Sequence, residues 1–212
     1  MRRRRVWTFR PPPHNNEVMA ETAHKSATYV DIEALPEHVV GEILFGHLVT
    51  HPRPVRRHGG AGSALGALCT TTYEFGADGP GGWVFVDEPE LHLGPHIVVR
   101  DIAGWRREHV TEPADKPFFE VAPDWACEIL SPSTEKYDKG DKRRINAHYA
   151  VQHMWHLDPR SKVLEVFALR DRNWLLTDTF IDEEVVNAPP VDQLTFSLGL
   201  LWPFDEPGRD DQ

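Results

Sequence analysis

The sequence predicts an α/β fold in which a mixed central β-sheet is flanked by helices. Predicted helices over residues 57–76 and 134–150 alternate with strand-like runs, and this order is typical of an α/β core. The chain has 212 residues, of which 40% are hydrophobic, and that suffices for one well-packed domain. No run approaches about 18 consecutive apolar residues, so we expect no membrane span.

The first half of the chain is predicted to contain a strand, a helix and a hairpin. Residues 42–50 suit a strand. Residues 57–76 suit a helix, because one stripe at helical spacing is formed by Ala61, Leu65, Leu68, Thr72 and Phe75. Residues 83–93 and 96–105 are strand-like runs on either side of a Gly-Pro pair, a pattern that predicts a hairpin.

The second half is predicted to hold four strands and a cationic helix. A short strand over residues 125–130 lies between two prolines. The helix predicted over residues 134–150 is rich in Lys and Arg. Residues 153–158 and 163–169 are strands separated by an Asp-Pro turn, and residues 173–181 are expected to pair with the second of them.

We expect one domain over residues 29–204, between two tails. Residues 1–28 contain a proline run and little periodic hydrophobicity, so they are predicted to be disordered. The basic run Arg2 to Arg5 precedes no apolar stretch and therefore does not resemble a secretory signal. Residues 205–212 are polar and acidic, which predicts a flexible end.

Charge and cysteine content limit the classes of function. The formal net charge of −10 argues against a protein that coats nucleic acid by charge alone. It does not exclude a nuclease, whose positive charge can be local or supplied by a metal. Cys69 and Cys127 lie in apolar stretches and are predicted to be buried thiols. With no disulfide framework, a reducing cytoplasm is the expected location.

Two carboxylates stand inside otherwise apolar strand-like runs, and they predict a metal site. Alternation puts Asp101 and Glu128 each on a face with apolar neighbours, where a carboxylate costs free energy unless it is paired or bound to metal. Mg²⁺ prefers such hard oxygen ligands, and Mn²⁺ is a possible substitute. Lys142 follows on the cationic helix, where its charge can stabilise a phosphate or orient the attacking water.

Several alternatives remain open from the residues alone. Asp101 or Glu128 can instead form a structural salt bridge with Arg100, Arg106 or Lys142. Other candidate residues have similar alternatives. His58 can contact the site or cap a helix, Glu88 and Glu90 can add a ligand or form a charged turn, and His92 with His96 only weakly suggests a clamp for copper or zinc.

Four ordered segments resemble motifs of the Uma-type restriction endonuclease family: residues 99–108, 127–134, 137–145 and 153–159. The second of them, CEILSPST, is similar to the family's VEVLSPST. Residues 41–48 resemble its entry segment, and the likeness extends over residues 29–202 in all.

That family belongs to the PD-(D/E)XK nuclease superfamily, so the resemblance implies a restriction-endonuclease-like core. It implies Asp101 and Glu128 as metal ligands. It implies Lys142 as a catalytic lysine that has moved from the strand to the helix, and Glu42 as a further acidic residue of the site.

The chain departs from the family pattern at three positions. Arg100 replaces the proline before the aspartate, His47 replaces a common glutamate, and Asn146 stands where a tyrosine is usual. The acidic pair and the lysine are intact, so we expect an active enzyme and expect Arg100 not to remove metal binding.

The predicted function is therefore a Mg²⁺-dependent endonuclease that hydrolyses DNA phosphodiester bonds, with a homodimer expected by analogy. A non-catalytic module that uses the same fold to contact nucleic acid or protein is the alternative. A hydrolase of RNA or of a small phosphate ester would use the same ligands.

Overall fold

A computed structural model describes residues 26–111, 113 and 115–205 of the chain. The predicted tails lie outside these residues except at positions 26–28 and 205. Among the described residues, no helix is long and apolar enough to cross a membrane.

A six-stranded sheet forms the centre of the molecule, with strand order β10-β9-β8-β7-β6-β3. Strands β7 and β8 are parallel, and the other neighbouring pairs are antiparallel, so the sheet is mixed as predicted. Parallel neighbours need a crossover, and a helical segment between β7 and β8 supplies it. The strands are β3 (Trp83–Asp87), β6 (Ile102–Arg106), β7 (Trp125–Ile129), β8 (His153–Asp158), β9 (Val163–Arg170) and β10 (Asn173–Ile181).

A four-stranded antiparallel sheet has the order β2-β1-β5-β4. The strand predicted over residues 42–50 is two strands, because the chain turns at Phe45 and Gly46, whose φ angles are 50° and 81°. Positive φ at two successive residues is the geometry of a tight hairpin turn. The strands are β1 (Val39–Leu44), β2 (His47–Pro52), β4 (Glu90–Leu93) and β5 (His96–Val99), and a separate two-stranded pair joins β11 (Val185–Val186) to β12 (Phe196–Ser197).

The hairpin predicted over residues 83–105 is only partly right. Its tip is correct, because Leu93 pairs with His96 across the Gly-Pro turn in the four-stranded sheet. Each predicted strand, however, is divided in two. Strands β3 and β6 pair with each other in the six-stranded sheet instead, so the chain changes sheets at residues 88–89 and again at 100–101.

One face of the six-stranded sheet is covered by helix α2 (Arg56–Cys69), which continues as a π-helical turn over Thr70–Glu74. Its buried residues Ala61, Leu65 and Cys69 recur every four positions. Ala61 and Leu65 belong to the predicted stripe, but Phe75, which was also predicted for it, is 76% exposed. The three buried residues pack on Trp125, Trp155 and other residues of the larger hydrophobic cluster. Cys69 and Cys127 both lie in this cluster as free thiols, as predicted.

The crossover helix between β7 and β8 consists of three consecutive segments. Helix α3 (Glu135–Tyr137) leads into a π-helical turn over Asp138–Lys142, and helix α4 (Arg143–His148) follows. Ile145 anchors this helix in the smaller hydrophobic cluster, together with Trp105 and residues of the four-stranded sheet. The remaining helical segments are α1 (Tyr29–Glu33) and two short 3-10 turns, Arg107–His109 and Leu198–Leu201.

Candidate active site

The four residues predicted for the site come from four different elements. Glu42 lies on β1, Asp101 on the link between β5 and β6, Glu128 on β7 and Lys142 at the end of the π-helical turn. The register pairs Ile102 with Cys127, which places Asp101 beside the Glu128 end of β7. The structure thus brings residues separated by up to 100 positions to one place.

Lys142 is the point at which three carboxylates meet. Its side chain is 4% exposed, and its Nζ lies 3.2 Å from Glu42 Oε1, 3.4 Å from Glu128 Oε2 and 3.1 Å from Asp138 Oδ1. It also donates to the carbonyl of Val99 at 3.0 Å. Burial disfavours the ammonium form, but the three carboxylates outweigh burial and raise the pKa of Lys142. Lys142 is therefore charged at neutral pH.

Glu42 is held ionised although it is almost completely buried. Its Oε1 accepts from the Val99 backbone N–H at 2.8 Å, and His51 Nε2 lies 3.4 Å from its Oε2. Burial alone would raise its pKa, but Lys142, His51 and the Val99 N–H together lower the pKa of Glu42 to about 2. Glu42 is thus the permanent counter-charge of Lys142.

Glu128 has a cation on each of its oxygens. Arg100 Nη1 donates to Oε1 at 2.7 Å, and Lys142 Nζ lies 3.4 Å from Oε2. Burial nevertheless raises the pKa of Glu128 to about 7, because it outweighs Lys142 and Arg100 and is reinforced by the charges of Asp138 and Asp101. Glu128 thus forms ion pairs with both Arg100 and Lys142, two of the partners considered from the sequence.

Arg100 is itself fully buried and is fixed by a second partner. Its Nη2 donates to Asn146 Oδ1 at 2.7 Å, while its Nε has no hydrogen-bond partner among the described residues. Two of the three departures from the family pattern are thus in direct contact with each other.

Asp101 is held between helix α2 and strand β7. Its Oδ2 accepts from the Ile129 backbone N–H at 2.6 Å, and its Oδ1 lies 2.8 Å from His58 Nε2. Burial would lower the pKa of His58, but the contact with Asp101 and the charges of Asp101, Asp138 and Glu128 raise it. His58 therefore belongs to the site and is not a solvated helix cap.

A cavity of about 200 Å³ gives access to these groups. Asp101, His58, Asp138 and Lys142 are among the residues that line it. Glu42 and Glu128, each 1% exposed, lie beneath the lining. A ligand in the cavity would therefore meet Asp101 and Lys142 directly, with the two buried glutamates behind them.

A family model described as "Uma2: Putative restriction endonuclease" matches residues 26–200. The chain belongs to the Uma2 family. A similar solved structure is "a putative nuclease belonging to DUF820 from Anabaena variabilis", with a TM-score of 0.68 and 20% identity over 83% of this chain and 97% of that one. This likeness confirms the predicted fold class. No curated protein matches the chain. Membership of the Uma2 family supports nuclease function in general.

The nuclease resemblance implies a metal ion, and the carboxylates of the site show whether one could bind there. No cluster of three or more His, Cys, Asp or Glu residues in the described part of the chain is arranged to hold a metal. Mg²⁺, however, commonly takes only one or two carboxylates and completes its shell with water and phosphate oxygens. Asp101 and Glu128 are the two carboxylates predicted for this role, and both already have protein partners.

Asp138 strengthens the fit. It is 1% exposed, and neither carboxylate oxygen has a hydrogen-bond partner in the described residues. Its Oδ1 lies 3.1 Å from Lys142 Nζ, so the two form an ion pair without hydrogen-bond geometry. A buried carboxylate with unfilled lone pairs is costly unless a cation is near. The donor set of this Uma2 member is therefore compatible with Mg²⁺.

The other candidate residues have varied surroundings. Glu88 lines the cavity. Glu90 is not among the lining residues, and its Oε1 lies 2.6 Å from His92 Nε2. His92 stacks on Phe118, whereas His96 Nδ1 accepts from the backbone of Phe45. The two histidines thus have separate partners, and the structure does not bring them together as a clamp.

The sequence analysis missed two residues of the site as functional candidates, Asp138 and His51. Asp138 stands four residues before Lys142 on a helical pattern, and that spacing is a signal for an ion pair. His51 has no comparable local signal, because its contact with Glu42 depends on the pairing of β1 with β2.

Proposed function

We propose that this protein is a Mg²⁺-dependent endonuclease that hydrolyses DNA phosphodiester bonds. In this proposal Asp101 and Glu128 hold the metal, and Lys142 assists catalysis. One observation carries it: Asp101 and Lys142 line a cavity behind which Glu128 and Glu42 are buried, so acidic oxygen donors and a cation share one accessible site.

Each residue has a part that follows from its contacts. When bound, the metal would polarise the scissile phosphate and lower the pKa of a water molecule. Asp101, at the cavity wall, orients its carboxylate through the Ile129 N–H. Lys142 is kept charged by three carboxylates, and its ammonium can stabilise the charge that develops on the phosphate. Glu42 holds Lys142 in position from behind.

The alternative is a non-catalytic module that contacts nucleic acid or protein. A specific observation favours it: both oxygens of Glu128 are already paired with cations, so the site is electrostatically satisfied without a metal. The buried carboxylate of Asp138, which accepts no hydrogen bond from the described residues, argues the other way. RNA and small phosphate esters would use the same donors as DNA, and two copies of the chain would allow both strands of a duplex to be cut.

The deciding test is cleavage of supercoiled plasmid by the wild type in Mg²⁺, in Mn²⁺ and in EDTA. We expect nicked and linear DNA with either metal and none in EDTA. Glu128→Gln should abolish cleavage, whereas Glu183→Gln, in an exposed turn, should cleave like the wild type. The same assay with a single-stranded RNA and with a single-stranded DNA of equal length shows which of the two nucleic acids is cleaved. Absence of cleavage of every substrate with both metals would favour the non-catalytic alternative.

A further inference from the structure

Arg100 and Lys142 hold the two oxygens of Glu128 unequally. Arg100 Nη1 lies 2.7 Å from Oε1 and donates to it, and the arginine is fully buried. Lys142 Nζ is 3.4 Å from Oε2, at the outer limit of a hydrogen bond. An ion that enters the site therefore finds Oε1 firmly occupied and Oε2 more easily available.

The guanidinium of Arg100 is held in this position from a second side. Its Nη2 donates to Asn146 Oδ1 at 2.7 Å, and Asn146 is also fully buried. A guanidinium is planar and permanently charged, so two hydrogen bonds fix both its place and its orientation. Arg100 and Asn146 stand where the family pattern has a proline and a tyrosine, and in this chain the two are in direct contact.

We propose that Arg100 determines which divalent cation the site accepts and how tightly it binds, an inference that rests on the proposed function. With Oε1 occupied, Glu128 can give a metal no more than one oxygen. Mg²⁺ and Mn²⁺ tolerate this, because they take few carboxylate oxygens and keep several waters. Ca²⁺ takes six to eight oxygens and often binds carboxylates through both, so Arg100 disfavours Ca²⁺ more than it disfavours the smaller ions.

The positive charge of Arg100 weakens the binding of every divalent cation. The buried cations Arg100 and Lys142 face the carboxylates of Glu42, Glu128 and Asp138. A positive charge in contact with a ligand oxygen competes with an entering cation in a weakly screened interior. Removing that charge while keeping the side chain polar should tighten metal binding and should make Oε1 of Glu128 available beside Oε2.

Calorimetric titration of the metal-free protein with Mn²⁺ and, separately, Ca²⁺ tests this inference without measuring activity. For Arg100→Gln we expect Mn²⁺ to bind at least ~10-fold more tightly than in the wild type, in the range by which partners of metal ligands change affinity. The gain for Ca²⁺ should be larger, so the preference for Mn²⁺ over Ca²⁺ should shrink. Arg144→Gln removes the same charge from an exposed position on α4, the helix that carries Asn146, and should leave both affinities unchanged.

Asn146→Ala is the second variant, because Arg100→Gln leaves a buried carboxylate with one cation fewer and is the less stable of the two. Asn146→Ala frees the guanidinium of Arg100 without removing its charge. We therefore expect smaller gains in affinity than for Arg100→Gln, with the gain for Ca²⁺ again larger than that for Mn²⁺. If the wild type binds Mn²⁺ and neither variant changes the affinities or their ratio, the inference is overturned and the proposed function stands. Equal gains for the two ions overturn the role in selectivity. If no form binds either ion, the proposed function and this inference both fail.

Discussion

Lys142 is the residue on which the candidate site depends most, since three carboxylates surround its ammonium group. Removing one group that stabilises a transition state typically costs about 10²–10³ in rate. Lys142→Ala should therefore cut DNA about 10²–10³-fold more slowly than the wild type while still binding Mn²⁺, because an ammonium group is not a ligand. The measurements are initial cleavage rates and Mn²⁺ titration.

Lys139→Ala is the matched control for this experiment. Lys139 stands three residues earlier on the same helix and pairs at the surface with Glu135. Surface pairs of this kind contribute little, so the variant should behave like the wild type. Equal losses in both variants would mean that the basic helix is a diffuse binding patch, in which Lys142 has no special place.

Glu42 makes a separate prediction about acid stability. Its pKa is lowered from 4.5 to about 2, so it contributes stability above its unfolded pKa that is lost as the pH falls through about 2. The shift corresponds to on the order of 3 kcal/mol. Glu128, whose pKa is raised to about 7, changes the stability in the opposite direction over this range, because only its unfolded form takes up a proton there. That contribution is common to the wild type and to Glu42→Gln. Urea unfolding at pH 6 and pH 3 should show that the free energy of unfolding falls less for Glu42→Gln than for the wild type. Equal falls would contradict the lowered pKa of Glu42.

The local sequence pattern was sufficient to predict some residues of the candidate site but not others. Asp101 and Glu128 stood out because each interrupts an apolar run, and alternation correctly placed Glu128 away from the hydrophobic cluster that contains Cys127. The partnership of Arg100 with Asn146 was invisible, because it joins positions 46 residues apart on different elements. A pairwise contact of this kind is set by tertiary packing and leaves no periodic signal.

At the scale of elements, the π-helical turn of the crossover helix is the feature that shapes the site. It spans Asp138–Lys142, and these two end residues are both buried and form an ion pair with each other. Such π-turns are rare and occur frequently at functional sites. Asp138→Asn should weaken Mn²⁺ binding by about 10-fold if its unpartnered oxygens assist the metal.

Asp141→Asn provides the control for this prediction, because Asp141 lies on the same turn but pairs with the exposed Arg144. Mn²⁺ titration of the two variants and the wild type is the measurement. Unchanged affinity in Asp138→Asn would remove Asp138 from the site, and a similar loss in Asp141→Asn would indicate a general effect of negative charge.

The elements themselves were largely predictable, but the changes of sheet were not. Helices over 57–76 and 134–150 were correct in kind, and the first of them was indicated by the helical spacing of its apolar residues. Residues 96–105 suit a single strand-like run, so nothing local shows that β5 pairs with β4 while β6 pairs with β3. Asp101 lies at that change of partner, and its position therefore depends on how the two sheets pack.

At the scale of the whole molecule, the proposed metal site exists only in the folded chain. Its donors come from the link between β5 and β6, from β7 and from the crossover helix, and an unfolded chain does not hold them together. A ligand that binds only the native state stabilises it by mass action, by about 2.7 kcal/mol at a concentration 100 times its dissociation constant. For a domain of this size each kcal/mol raises the Tm by roughly 2–4 °C.

Saturating Mg²⁺ or Mn²⁺ should therefore raise the Tm of the wild type by roughly 5–10 °C. Asp101→Asn should reduce this rise, because it removes the charge of the one proposed ligand at the cavity wall. Asp178→Asn, on an exposed part of β10, should keep the full response. Thermal unfolding followed by circular dichroism, with and without EDTA, gives the comparison. A wild type whose Tm does not respond to millimolar metal would argue that its carboxylates serve only the buried ion pairs with Arg100 and Lys142.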